Sequence, residues 1–165
     1  MNEDILTENF ISDLFREDEL GAVIRAHLYV EKYVDELLGL LFPYPKELKP
    51  LKLDFDGKLC LIAALGVNST VKKPLSILGG IRNKFAHRPN YKLDKSQIKN
   101  LYSSLGSNDK ELLHRVYKGI RKDYSEWQNL PDYNLLEPKE QFVLLAIVIR
   151  TIISMVKQEI SERNA

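Results

Sequence analysis

An arginine, an asparagine and a histidine stand close together in Ile81-Arg82-Asn83-Lys84-Phe85-Ala86-His87. Arginine offers a planar fork that holds a phosphate through two parallel hydrogen bonds. Histidine titrates near neutrality and can give or take a proton. Asparagine can orient either one. The three suit transesterification of RNA. The ribose 2′-OH attacks the adjacent phosphate, the arginine stabilises the developing charge, and the histidine protonates the leaving oxygen or accepts the 2′ proton. This chemistry calls for no metal or cofactor, and no carboxylate cluster for a metal is evident in the sequence.

Placement decides whether the three can act together. Positions 83 and 87 share one helix face. Arg82 lies about 140° from His87 on a 3.6-residue helix, but its long side chain can reach around. The same residues also have a purely structural reading. A histidine in the last helical turn is favoured by the helix dipole. Phe85 and Ala86 would then be core contacts, and Arg82 a solvated charge.

The elements that must position this segment follow from apolar spacing and breakers. Ile5, Leu6, Phe10, Ile11, Leu14 and Phe15 predict a first helix over Asn2 to Phe15. A second runs from Glu19 to Leu41 and stops before Pro43 and Pro45. Pro43 to Leu53 reads as a loop. Asp54 caps a third helix, Phe55 to Leu65, which Gly66 ends. A fourth starts near Lys73-Pro74 and ends at His87, because Pro89 disfavours helical geometry at Arg88. Asp94 can cap a fifth to Leu105, and Asn108 or Asp109 a sixth to Tyr124. Trp127 to Glu137 reads as a loop. Pro138 opens a last helix to Glu162, apolar nearly all round, which is either the centre of a bundle or half core and half dimer interface. The expectation is one all-α domain over residues 1–165, a bundle of about five to seven helices with a long apolar C-terminal helix.

Composition narrows the classes. Apolar residues make up 44% and charged residues 28%, a globular balance, and net charge is +1. Global charge therefore gives no argument for nucleic acid, although a local basic patch would. The single cysteine, Cys60, allows no internal disulfide and no thiolate metal site. The acidic start is unlike a secretory signal. The apolar run Phe142 to Val156 is about 15 residues, against the roughly 20 that span a bilayer. A cytoplasmic protein without a membrane segment is expected.

The segment from Ile81 to His87 resembles the Arg-x4-6-His signature of the HEPN superfamily, including a polar residue after the arginine. Asp13-Leu14-Phe15, Gly21-Ala22-Val23, Glu31, Glu36-Leu37-Leu38, Lys58-Leu59, Ala64-Leu65-Gly66 and Ile81 to His87 together resemble the mannitol repressor-like family, over about residues 11–90. The resemblance implies Arg82 and His87 as a catalytic pair with Asn83 as helper. It implies a metal-independent endoribonuclease of the toxin or phage-defence type. It also implies a homodimer in which two such sets meet, and an antitoxin or regulatory protein as a possible partner. Other HEPN domains only bind RNA or proteins, and mannitol repressor-like proteins are described as transcriptional regulators. This chain shows no helix-turn-helix with a basic recognition helix, so regulation would run through protein contacts.

If RNA binds, Lys84, Arg88 and Lys92 would contact its backbone. Glu31 sits among apolar residues and needs a partner, for which Arg82 is a candidate. His27, four residues before Glu31, lacks further ligands for a metal and reads as structural. His114, Arg115, Lys118, Arg121 and Lys122, with Tyr117 and Tyr124, form either a solvated face or a phosphate-contacting one. Cys60 reads as a small buried apolar residue. Trp127 should anchor its loop. Gly79-Gly80 inside a helix implies either a close helix approach, across a dimer axis for example, or a kink.

Overall fold

The computed structural model describes residues 3–164, and these are all-α, with no strand among them. Helices α1 (Glu3–Arg16), α2 (Glu19–Leu41), α3 (Phe55–Ala64), α4 (Ser69–His87), α5 (Lys95–Ser104), α6 (Ser107–Asp123) and α7 (Pro138–Asn164) follow one another. The expected start at Asn2 lies outside the described residues, as do the side chains of Ile5 and Leu6. No helix among the described residues is long and apolar enough to cross a membrane.

Side-chain caps set most of the helix starts. Asp18 accepts from Gly21 N–H at 2.7 Å, and Asp54 from Gly57 N–H at 2.8 Å. At α5, Asp94 accepts from Gln97 N–H at 2.9 Å while Gln97 Oε1 accepts from Asp94 N–H at 3.0 Å, a reciprocal cap. After α3, Gly66 takes φ +97°, a conformation that glycine adopts without Cβ strain.

Four boundaries differ from the sequence reading. Helix α4 starts one turn earlier than expected, because Asn68 accepts from Thr70 N–H at 2.9 Å and caps it. Pro74 then lies within the helix rather than at its start. Helix α6 starts at Ser107, and Asp109 reaches back to Gly106 N–H at 3.3 Å instead of capping from outside. The supposed loop at 43–53 holds a 3-10 helix, Pro45–Leu51, and the one at 127–137 holds another, Tyr133–Leu135.

Helix α7 is the axis of the packing. It touches α1, α2, α4, α5 and α6, α2 most extensively. Every residue from Gln141 to Arg150 is buried, so this stretch is surrounded on all sides within one chain. Beyond Ile153 the surround ends, and Met155 is 61% exposed. Arg150 is buried with its guanidinium 4.9 Å from the Phe10 ring centre and 5.4 Å from that of Tyr33, and it donates to the Tyr33 hydroxyl at 3.1 Å. Trp127 packs on Phe15 and Tyr124, with ring centres 4.4 and 4.7 Å away.

The glycine pair of α4 divides into two roles. A Cβ on Gly79 would meet Phe55 Cδ1 at 2.8 Å, so α4 approaches the start of α3 only because Gly79 has no side chain. Gly80 faces open space. The close approach is thus within one chain. Gly80→Ala should stabilise by about 0.5–1 kcal/mol, by restricting the unfolded chain. Gly79→Ala should instead destabilise by about 1–3 kcal/mol, through overpacking. Denaturant melts of the two variants must therefore move in opposite directions, and a shared sign would contradict this packing.

Candidate functional site

Helix α4 brings Arg82 and Asn83 to an open cavity of about 240 Å3 between three helices. Helix α2 supplies His27 and Glu31. The start of α3 supplies Asp54, Phe55 and Asp56, and α4 adds Gly79. Arg82 Nη1 donates to Asn83 Oδ1 at 3.1 Å. A guanidinium has no acceptor, so this bond fixes the amide with its Nδ2 hydrogens directed elsewhere.

Glu31 does not clamp Arg82, as the sequence suggested it could. Its Oε1 accepts from Lys58 Nζ at 2.8 Å, and its Oε2 lies 3.6 Å from His27 Nδ1. Lys58 also reaches Asp35 at 2.8 Å. Burial opposes the Lys58 charge, but the hydrogen bonds to Asp35 and Glu31 outweigh it, so its pKa lies above the usual lysine value. The long lysine stem from α3 reaches α2 and so satisfies Glu31 without the arginine.

His27 is 4% exposed, with its ring centre 4.5 Å from that of Phe55. Burial pushes its pKa below the usual histidine value. Glu31 opposes this, while the positive Arg82 and Lys58 add to it. The unfolded chain then binds protons more readily than the folded one below about pH 6.5. Its contribution to stability is complete above that pH and is lost as the pH falls toward the lowered folded value. His27→Gln should therefore flatten the decline of Tm between about pH 7 and pH 5 relative to wild type. Parallel curves for the two proteins would exclude this role.

His87 is not part of the cavity. It is exposed and forms no hydrogen bond, ion pair or ring contact among the described residues. The shared pocket expected for Arg82, Asn83 and His87 is thus only two-thirds assembled within one chain. The physical reason is that α2 and the start of α3 flank α4 at Gly79, Arg82 and Asn83, whereas His87, one turn on, is exposed and lines no cavity with them.

Exposed cations stand in and just after that last turn instead. Lys84, Arg88 and Lys92 are all exposed, and none joins an ion pair among the described residues. Lys84 Nζ and Arg88 Cζ lie 5.9 and 5.7 Å from the centre of the Tyr91 ring. Tyr91 is fixed by its edge contact with Phe85, ring centres 5.2 Å apart, and its hydroxyl accepts from Gln97 Nε2. Leu93 N–H donates to Glu19 at 2.9 Å, which ties the segment after Pro89 to the start of α2.

The remaining sequence candidates separate as well. His114, Lys118 and Arg121 line a second cavity of about 410 Å3 with Tyr117 and Tyr133. Arg121 lies 3.7 Å from Asp132, so that face is partly neutralised. Cys60 is exposed, contrary to expectation, and its Sγ accepts from Lys72 Nζ at 3.2 Å. Among the described residues no group of three or more His, Cys, Asp or Glu side chains is placed to hold a metal. The wall of the Arg82 cavity, Phe55 with Asp56 and His27, was not assigned a site role from sequence. Gly79 was its one visible trace, since a glycine inside a helix marks a close neighbour.

Compared with protein-family models, with curated proteins and with solved structures, the chain has no match.

Proposed function

We propose that this chain is an RNA-binding domain of the HEPN, mannitol repressor-like kind, working as a metal-independent endoribonuclease with His87 and Arg82 as its reacting pair. The observation that carries the reading is the state of His87. An exposed imidazole without side-chain partners lies one helical turn past Asn83, on the same last turn of α4 as Lys84 and next to Arg88, with Lys92 four residues on; these three cations are exposed and outside any ion pair among the described residues. Cations without carboxylate partners suit a phosphate backbone, and an imidazole free of internal bonds is available for proton transfer. Arg82, at the cavity edge, supplies the bidentate group for the phosphate. A second copy of the chain, bringing its own Arg82 and His87, would close the site, and a toxin-like activity would call for an antitoxin partner.

The test is cleavage of single-stranded RNA by purified protein in EDTA. Product ends bearing 2′,3′-cyclic phosphate are the expected result, since the 2′-OH is the nucleophile. Inertness toward every RNA offered, together with no salt-dependent binding, would end the reading.

One observation favours a second reading. His87 lies outside the cavity that holds Arg82 and Asn83. A non-catalytic regulatory module, binding through the same exposed cations, would need no joint site. It predicts RNA or protein binding without product.

A further inference from the structure

We propose that the cavity between α2, α3 and α4 receives one guanine base of an RNA strand whose phosphates run along the last turn of α4. The inference rests on the reading of the chain as an RNA-binding domain and names what that domain recognises.

The size suits a single planar heterocycle. The cavity holds about 240 Å3, below the roughly 300–1,000 Å3 of sites for drug-sized ligands. Its aromatic wall is the half-buried Phe55 ring, which packs on the backbone of Gly79 and lies 4.5 Å from the His27 ring at an interplanar angle of 58°. Unstacked bases are held on such rings.

The polar groups define which base. Three carboxylates line the cavity, and two are engaged. Asp54 caps α3 through Gly57 N–H. Glu31 is shared between Lys58 and His27. Asp56 is left: it is exposed and accepts only from the Ser76 hydroxyl, at 3.2 Å on Oδ1. On the α4 side Asn83 Oδ1 accepts from Arg82, which orients the amide and leaves its Nδ2 hydrogens as donors. The cavity therefore presents a carboxylate acceptor and an amide donor beside an aromatic wall.

Guanine matches this pair most fully among the bases. Its N1–H and N2–H are adjacent donors for one carboxylate, and its O6 beside them accepts from an amide. Adenine and cytosine would turn a ring-nitrogen lone pair toward Asp56. Uracil offers a single N3–H beside O4 and would turn its O2 carbonyl toward the second carboxylate oxygen. Each mismatch leaves like partners facing one another, which discriminates by repulsion as well as by lost bonds. The same carboxylates keep phosphate out of the cavity interior, so Arg82 meets it only at the rim. Phosphates fall instead to Lys84 and Arg88, and His87, about 6 Å along the helix from Asn83, lies where the strand leaves. Arg82 orients the Asn83 amide and keeps its remaining N–H groups for the phosphate.

Fluorescence anisotropy with labelled single-stranded RNA nonamers tests this. One carries a single central guanine in an adenine and cytosine context, and its control carries adenine there. Wild type should bind the guanine oligomer about tenfold more tightly, the order expected of one well-placed bidentate base contact. Asp56→Asn should reduce that ratio to near one, by weakening the guanine oligomer and by relieving the repulsion that the adenine control meets. This substitution is at an exposed side chain, and its melting curve reports that the fold is kept. Lys84→Ala with Arg88→Ala should weaken both oligomers alike. Equal binding of the two oligomers by wild type, or a ratio unchanged in Asp56→Asn, overturns the guanine assignment while leaving RNA binding standing. Absence of binding to either oligomer overturns the RNA reading itself.

Discussion

His87→Ala is expected to lower RNA cleavage in EDTA by about 10²–10⁴-fold, the usual contribution of a positioned general acid or base. The same variant should leave Tm nearly unchanged. The two halves of this expectation follow from one fact: the side chain is exposed and touches nothing that it holds in place. Exposed substitutions away from caps and networks usually stay within about 0.5 kcal/mol. For a chain of this size that is a shift of about 1–2 °C. Rate and stability thus separate cleanly, and the measurement pairs a gel-based cleavage assay with a thermal melt. A Tm loss of several degrees with unchanged cleavage would assign His87 to the fold, as a helix-end residue favoured by the dipole. Unchanged values of both would remove it from either role and shift the proposed chemistry to another group.

Phe142→Ala should produce the largest loss of stability, about 3–5 kcal/mol. Phe142 is fully buried in the stretch of α7 that every side of the bundle encloses. Removing its ring takes away the transfer free energy of the ring and leaves a void. The core it belongs to is closed, with Leu144, Leu145 and Phe10 also at 0% exposure, so little can collapse into the void. A loss of that size corresponds to a Tm lowered by roughly 6–20 °C. Met155→Ala, on the same helix at a 61% exposed position, should cost less than about 1 kcal/mol. A comparable loss from both would mean that the C-terminal half of α7 is covered in solution, as it would be in a dimer that uses this helix. Chemical denaturation of the two variants at several protein concentrations separates these outcomes, because only a dimer makes the midpoint depend on concentration.

The helices themselves were legible before any coordinates. Asp54 and Asp94 announced their caps by residue type, and Gly66 and Pro89 announced their stops, because these effects act within one or two turns. Errors gathered where a cap competes with a stronger sequence signal. Asn68 began α4 a full turn before Pro74, the residue that advertises a first turn. The 3-10 helix at Pro45–Leu51 left no periodic apolar pattern to read. For Cys60 residue type alone gives only an average burial, whereas its position on α3 turns it outward toward Lys72.

The candidate site shows the same division more sharply. Local sequence determined that Arg82, Asn83 and His87 sit near the end of one helix, that Asn83 and His87 share a face, and that cations flank them. Helix periodicity and proline chemistry suffice for that. Which of the three would be enclosed was decided only by the tertiary structure. Residues 27–31 and 54–56 fold over α4 as far as Asn83 and no further, so Arg82 and Asn83 edge a cavity while His87 stands in solvent. Lys58, 27 positions from Glu31, took the partner that the sequence had offered to Arg82. Pairings of that kind depend on which helices meet, and a chain read residue by residue carries no record of the meeting beyond traces such as Gly79, where the absence of a side chain marks the place of contact.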